Sequence, residues 1–307
     1  MLNQTCLNRP NLVKPKLDNL NFFEKAFSSA RIEKYLKAVY QPNKAKHENI
    51  KKAIRLYQIN MIYCESLYVS LHTLEIALRN CIDLNLSARH QSNWFFANTD
   101  SFHESILYLR NKHNINIVIP KTSTKILLEC EEQKVVYAIE DSIKNIFEKS
   151  GRKSSEKQEF KIIENRDRIV ANLSLGFWIT LLTQNKKGNN NYFNNIFIPC
   201  VKGIFPNARN SERNTSTIQP ILERILKLRN RIFHHEPIIW EYYDIEKRYH
   251  EIYRVIKWID PTLEIWLRHD SKIDRFLDIY QSLSEEVKEL TQKNITKKIQ
   301  YEDRSYS

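Results

Sequence analysis

The ten residues Leu228-Arg229-Asn230-Arg231-Ile232-Phe233-His234-His235-Glu236-Pro237 place two arginines, an amide, two adjacent imidazoles and a carboxylate in one short stretch. On a helix turning roughly 100° per residue, Asn230 lies about 100° and His234 about 140° from Arg229. These three share one side, while Leu228 and Ile232 take the other. Arg231 and His235 form a neighbouring pair four apart. The tripeptide Leu-Arg-Asn recurs at Leu78-Arg79-Asn80, where Leu84, Asn85 and Leu86 stand in place of a histidine. The earlier copy therefore cannot repeat the same chemistry.

Three readings of the stretch are open. A zinc site of the His-Glu-x-x-His kind needs imidazoles one turn apart. His235-Glu236 would require a second histidine where Ile239 stands, and no cysteine is near. Adjacent His234 and His235 diverge, so no metal and no cofactor is expected. The second reading is a helix end. Cationic side chains are favourable at a helix C-terminus, and Pro237 stops the helix, which places both histidines in its last turn.

The third is metal-free RNA cleavage. The RNA's own 2′-OH attacks the adjacent phosphate, which requires a base, charge stabilisation and an acid for the leaving 5′-oxygen. Histidine titrates near neutrality and suits proton transfer. Arginine keeps its charge and forks two hydrogen bonds to phosphate, and asparagine can orient either partner. Dependence on the 2′-OH would restrict the substrate to RNA.

Allowing four to six intervening residues, Arg229 is the only arginine in the chain with a histidine at that spacing, and it reaches both His234 and His235. The stretch resembles the Arg-polar-x-x-x-His motif of the HEPN superfamily. The segments SARIEKYL, AIRLYQINMIYCESLYVSLHTLEIALRN, NWFF, LSLGFWITLL, IFPNAR and LRNRIFHHEPI follow one another in the order and approximate spacing of the Abi-like abortive-infection family, over roughly residues 30 to 240.

The resemblance implies an all-α, HEPN-like helical bundle with additional N-terminal and C-terminal helices. It implies a metal-independent endoribonuclease used in phage defence or as a toxin. Such an enzyme acts on RNA, tRNA included, and leaves 2′,3′-cyclic phosphate and 5′-OH ends. A homodimer with two Arg/His sets facing one cleft is implied, as is room for an antitoxin or regulatory partner. Carried over, Arg229, Asn230 and His234 are the catalytic candidates. Arg231, His235 and Glu236 are accessory, as are Glu75, Arg79 and Asn80 of the similar Leu-Glu-x-x-Leu-Arg-Asn block. Two alternatives stand beside this reading: a non-catalytic RNA-binding or sensor module, and a helical scaffold. For Glu75 and Arg79, four apart in the favoured order, an intrahelical pair is expected.

Composition agrees with helices. The chain has 307 residues, 42% apolar, and only 4 glycines, whereas tight hairpins call for Gly or Asn at positive φ. A formal charge of +12 favours a polyanionic partner. Five scattered cysteines form no CxxC pair, so neither a disulfide framework nor a zinc knuckle fits, and they read as small core residues. The N-terminus lacks the apolar core of a secretory signal, and no apolar run approaches the roughly 20 residues that span a bilayer. The expectation is a cytoplasmic protein away from membranes.

Residues 1–20, with Pro10 and Pro15, read as an extended arm. Residues 21–290 read as one all-helical domain, with two lobes meeting at the polar loop 149–160 as the alternative. Residues 291–307 read as a flexible tail. Helices are expected over Asn21–Tyr40, Ile50–Arg89, Ile126–Glu148, a segment from Lys161 interrupted at Ser174-Leu175-Gly176, one from Ile218 capped by Thr215 or Ser216, Trp240–Trp258 and Ser271–Leu290. Ile115–Pro120 is either a strand or an extended linker. Leu175–Trp178 reads as core packing in which Gly176 lets helices approach. The basic loops Lys149–Lys157 and Lys186-Lys187 are expected to hold RNA electrostatically.

Overall fold

The computed structural model describes residues 26–90, 94, 107, 111, 115–118, 133–149, 158–183, 193–240, 244–269 and 273–291. The expected arm, the loop residues 150–157, Lys186, Lys187 and residues 292–307 lie outside them. Among the described residues there are ten α-helices and two short strands, an all-α architecture with a minimal sheet. None of these helices is long and apolar enough to cross a membrane.

The chain forms two compact units. Unit 1 takes residues 1–65, 237–243 and 276–307, and unit 2 takes residues 66–236 and 244–275. Helix α1 is Ser29–Val39 and α2 is Lys46–His90, 45 residues long. In unit 1, Asn49 fastens the turn between them. Its side-chain oxygen accepts from Gln41 N at 2.9 Å, and its amide donates to Gln41 O at 3.1 Å. Tyr35 is fully buried, edge-on to Tyr57 at 5.1 Å and 5.5 Å from the Trp240 ring. Helix α10, Phe276–Thr291, is tied to α2 by Arg55, which donates Nε and Nη2 to the two oxygens of Glu286 at 2.6 and 2.8 Å. Thr291, expected in the tail, is the last residue of α10. Ile238 N donates to the buried Asn60 Oδ1 at 2.7 Å, so this buried residue's N–H is satisfied.

Unit 2 is built around the second half of α2. Leu67, Leu71, Leu74, Leu78 and Ile82, the expected stripe, are all at most 2% exposed. Burial of each such side chain contributes about 1.5–3 kcal/mol. Strand β1, Ile115–Val118, pairs in parallel with β2, Gln158–Lys161, in the register Ile115↔Gln158 to Val118↔Lys161. Helix α3, Gln133–Lys149, lies between them in sequence. The polar look of Gln158-Glu159-Phe160 predicts loop, yet these residues are strand. Phe160 is buried at 3%, and two short strands distant in sequence satisfy each other's backbones.

Helix α4, Ile162–Asn172, stops at Leu173, and Ser174 caps α5, Leu175–Leu182, by accepting from Phe177 N at 3.3 Å. Trp178 is fully buried and donates Nε1 to Leu173 O at 3.3 Å. Leu175–Trp178 is therefore core. Gly176, however, is not required for close approach: a methyl there would meet Leu226 only at 3.9 Å, ordinary contact distance. The tight glycine is Gly203, where a methyl would fall 1.8 Å from Asn85 Oδ1 and 2.8 Å from its Cγ. Gly203 belongs to α6, Ile198–Ile204, which follows a π-helical turn at Phe193–Phe197.

Asp83 is buried, accepting from Trp94 Nε1 at 2.8 Å and from Arg166 Nη2 at 2.6 and 2.8 Å. Removing Arg166 would leave the buried carboxylate without its counter-charge. Burial pushes the Cys64 thiol up to about 12 and raises those of Cys81 and Cys200, all three of them free.

Helix α7 is Thr215–Phe233, capped not by Thr215 or Ser216 but by Asn214, whose Oδ1 accepts from Thr217 N at 2.9 Å. Pro220 consequently lies inside the helix rather than at its entry. The expected Trp240–Trp258 helix is α8, Ile245–Ile259, begun at Asp244, whose carboxylate accepts from Lys247 N. Pro261 then starts a separate helix, α9, Pro261–His269, which the periodicity reading joins to nothing. Pro is favourable at that first position because its missing N–H has no helical partner. The last expected helix, Ser271–Leu290, is α10 and begins later, at Phe276.

Candidate functional site

Every candidate residue lies on α2 or at the end of α7, within unit 2. The apolar face of α7 is set by Ile218, Ile221, Leu222, Ile225, Leu228 and Ile232, all buried. That burial turns Arg229 and Asn230 toward partial exposure and leaves His234 exposed. Phe233, although apolar and next to Ile232, falls off this face and is 43% exposed.

Helix α7 ends one residue before His234. His234 N still donates to Asn230 O at 2.9 Å, His235 N to Ile232 O at 3.1 Å, and Glu236 N to Arg231 O at 2.8 Å. His235 has φ 56°, the left-handed conformation. Together these are a Schellman terminus, which closes the last free carbonyls of the helix. Its usual hydrophobic clasp is replaced by an ion pair, Arg231 Nη1 to Glu236 Oε2 at 3.5 Å. Arg231, His235 and Glu236 are thus accounted for by the helix end. The two histidines have separated roles: His235 makes the turn, while the His234 imidazole, without a side-chain hydrogen bond among the described residues, stands at its edge.

Arg229 is held on two sides. Its Nε donates to Glu75 Oε2 at 3.4 Å, with both side chains about three-quarters buried. Its guanidinium carbon lies 4.2 Å from the centre of the Phe233 ring, a cation–π contact contributing about 0.5–1 kcal/mol. Nη1 reaches Asn230 Oδ1 only at 3.5 Å. Nη2 has no hydrogen-bond partner among the described residues and remains available to an anion. Arg229 and Phe233 stack as one i, i+4 row, with Asn230 and His234 as the adjacent row.

The expected Glu75–Arg79 pair is not formed. Glu75 reaches across to Arg229, while Arg79 donates to its neighbour Asn80 Oδ1 at 3.3 Å and to Ala171 O at 3.4 Å. An intrahelical pair is worth only a few tenths of a kcal/mol, so a tertiary partner of α7 easily redirects the carboxylate. Arg79 and Asn80 thereby brace α2 against the end of α4 and stand apart from the Arg229 contacts.

Two neighbours escaped the sequence reading. Tyr68 lies 5.9 Å from the Phe233 ring and 5.9 Å from that of His72, onto which it stacks. Their i, i+4 spacing on α2 was the available signal, but only the approach of α7 brings Phe233 to them. Among the described residues no group of three or more His, Cys, Asp or Glu is gathered as a metal site would require. Compared with family models, with curated proteins and with solved structures, the chain has no match.

Proposed function

We propose that the end of α7 is the centre of a metal-independent endoribonuclease. The observation that carries this reading is the pairing of a pre-held arginine with an exposed imidazole at one helix terminus. Arg229, fixed by Glu75 and Phe233 with Nη2 open, supplies a permanent charge to the scissile phosphate. His234 moves a proton to or from the 2′-OH or the leaving 5′-oxygen. Asn230, one turn below His234, orients the phosphate or the hydroxyl. Glu75 is a positioning residue, acting through Arg229.

The formal charge of +12 supports RNA as the substrate, tRNA included. The wider reading follows the resemblance: a HEPN-like bundle, a homodimer bringing two such sets together, and a role in phage defence or as a toxin held by a regulatory partner. The plain helix terminus favours a second reading, in which the same residues bind RNA without cutting it.

The test is incubation of purified protein with total RNA in EDTA, with the ends analysed. Cleavage leaving 2′,3′-cyclic phosphate is expected, and Arg229→Ala or His234→Ala should each lower it by about 100-fold or more. Arg229→Lys should not restore it, because a point charge lacks the fork. No cleavage, or cleavage surviving the double alanine variant, would overturn the proposal. RNA binding without cleavage would favour the second reading.

A further inference from the structure

We propose that His72, Tyr68 and Phe233, closed at one end by Arg229, form a stacking subsite for unpaired bases of single-stranded RNA. The proposal deepens the ribonuclease reading and rests on it for the identity of the polymer. Tyr68 is 48% and Phe233 43% exposed. Neither ring is needed to pack its helix: on α2 that work falls to Leu67 and Leu71, and on α7 to Leu228 and Ile232. The rings nevertheless form an ordered row, His72 against Tyr68 and Tyr68 against Phe233, each step 5.9 Å. The Arg229 guanidinium then lies 4.2 Å from the Phe233 centre.

The composition of the row selects its occupant. Tyr, Phe and Arg also occur at protein interfaces, but a formal charge of +12 favours a polyanion. Here every member is a flat π-system and the row ends in a cation. Nucleobases offer a π-face whatever their sequence, and a phosphate follows each of them. A base stacked on Phe233 or Tyr68 would leave its phosphate beside the open Nη2 of Arg229 and the exposed His234. In a duplex the bases are already stacked and their faces are hidden, so the subsite selects unpaired segments.

Fluorescence anisotropy in EDTA, comparing a labelled single strand with a labelled blunt-ended duplex, tests this. The double variant Tyr68→Leu/Phe233→Leu keeps apolar volume but removes the rings. It should weaken single-strand binding by about tenfold or more and duplex binding by far less, since a duplex offers the rings no free base face. Phe233→Trp should retain or tighten single-strand binding. In the wild-type protein, ultraviolet crosslinking to RNA should give adducts at Tyr68 or Phe233.

An equal loss for both RNAs, no loss for either, or adducts elsewhere only would overturn the subsite. So would a changed oligomeric state with unaltered strand affinity, which would assign the rings to a second copy of the chain. Ring-dependent binding without cleavage would remove the ribonuclease reading and keep the subsite. Normal cleavage indifferent to the rings would do the reverse.

Discussion

At the scale of single residues, the two histidines of the His-His pair do different work despite being neighbours. His235 holds a left-handed turn that glycine adopts freely. His235→Gly should therefore raise stability by about 1 kcal/mol in a urea melt and leave RNA cleavage near wild type. His234→Ala should do the opposite, abolishing cleavage with little change in the melt, because its exposed side chain has few contacts to lose. If His235→Gly removed activity instead, the assignment of the proton-transfer residue would have to be exchanged. The spacing of the motif could not distinguish the two, since both fall within its tolerance. The backbone separates them only in conformation: His235, not His234, takes the left-handed turn.

At the scale of elements, α2 is the member on which the site depends, because it carries Glu75 on one face and the Leu67–Ile82 stripe on another. Leu74→Ala removes a fully buried side chain and should cost about 2–5 kcal/mol, measured by denaturant unfolding. It should reduce activity only through lost folded protein. The glycines supply a paired comparison. Gly176→Ala has space around it and should be neutral or stabilising by up to about 1 kcal/mol. Gly203→Ala drives a methyl into the Asn85 amide, which must turn away and give up its bond to Cys81 O, and should destabilise by about 1 kcal/mol. Thermal melts of the two variants should move in different directions.

At the scale of the whole molecule, ion pairs in both units make stability depend on pH. In unit 1 the hydrogen bond from Arg55 holds the Glu286 carboxyl below its ordinary 4.5, and in unit 2 Arg254 does the same for Glu212. A carboxyl lowered in the folded state stabilises fully above its unfolded value and loses that contribution as pH falls through the lowered one. Each pair is partly exposed, so each contributes about 1 kcal/mol or less after solvent screening. Glu286→Gln should slightly lower stability at neutral pH, and its deficit against wild type should shrink as the solution is taken well below pH 4.5. A deficit independent of pH would mean that packing, not charge, accounts for the pair.

Helical periodicity determined the α2 stripe and most of the buried face of α7, and with the scarcity of glycine it pointed to the all-α character, because those features repeat within a few residues and need no distant partner. Residue chemistry together with the resemblance made Arg229, Asn230 and His234 the candidates. Tertiary structure decided what depends on which segments meet. It paired Glu75 with Arg229 rather than Arg79, joined β2 to β1 across α3, and set Phe233 beside Tyr68. Each of these is a contact between residues distant in the chain, chosen by the docking of one element on another. Local preferences of a few tenths of a kcal/mol could not have held the alternatives against it.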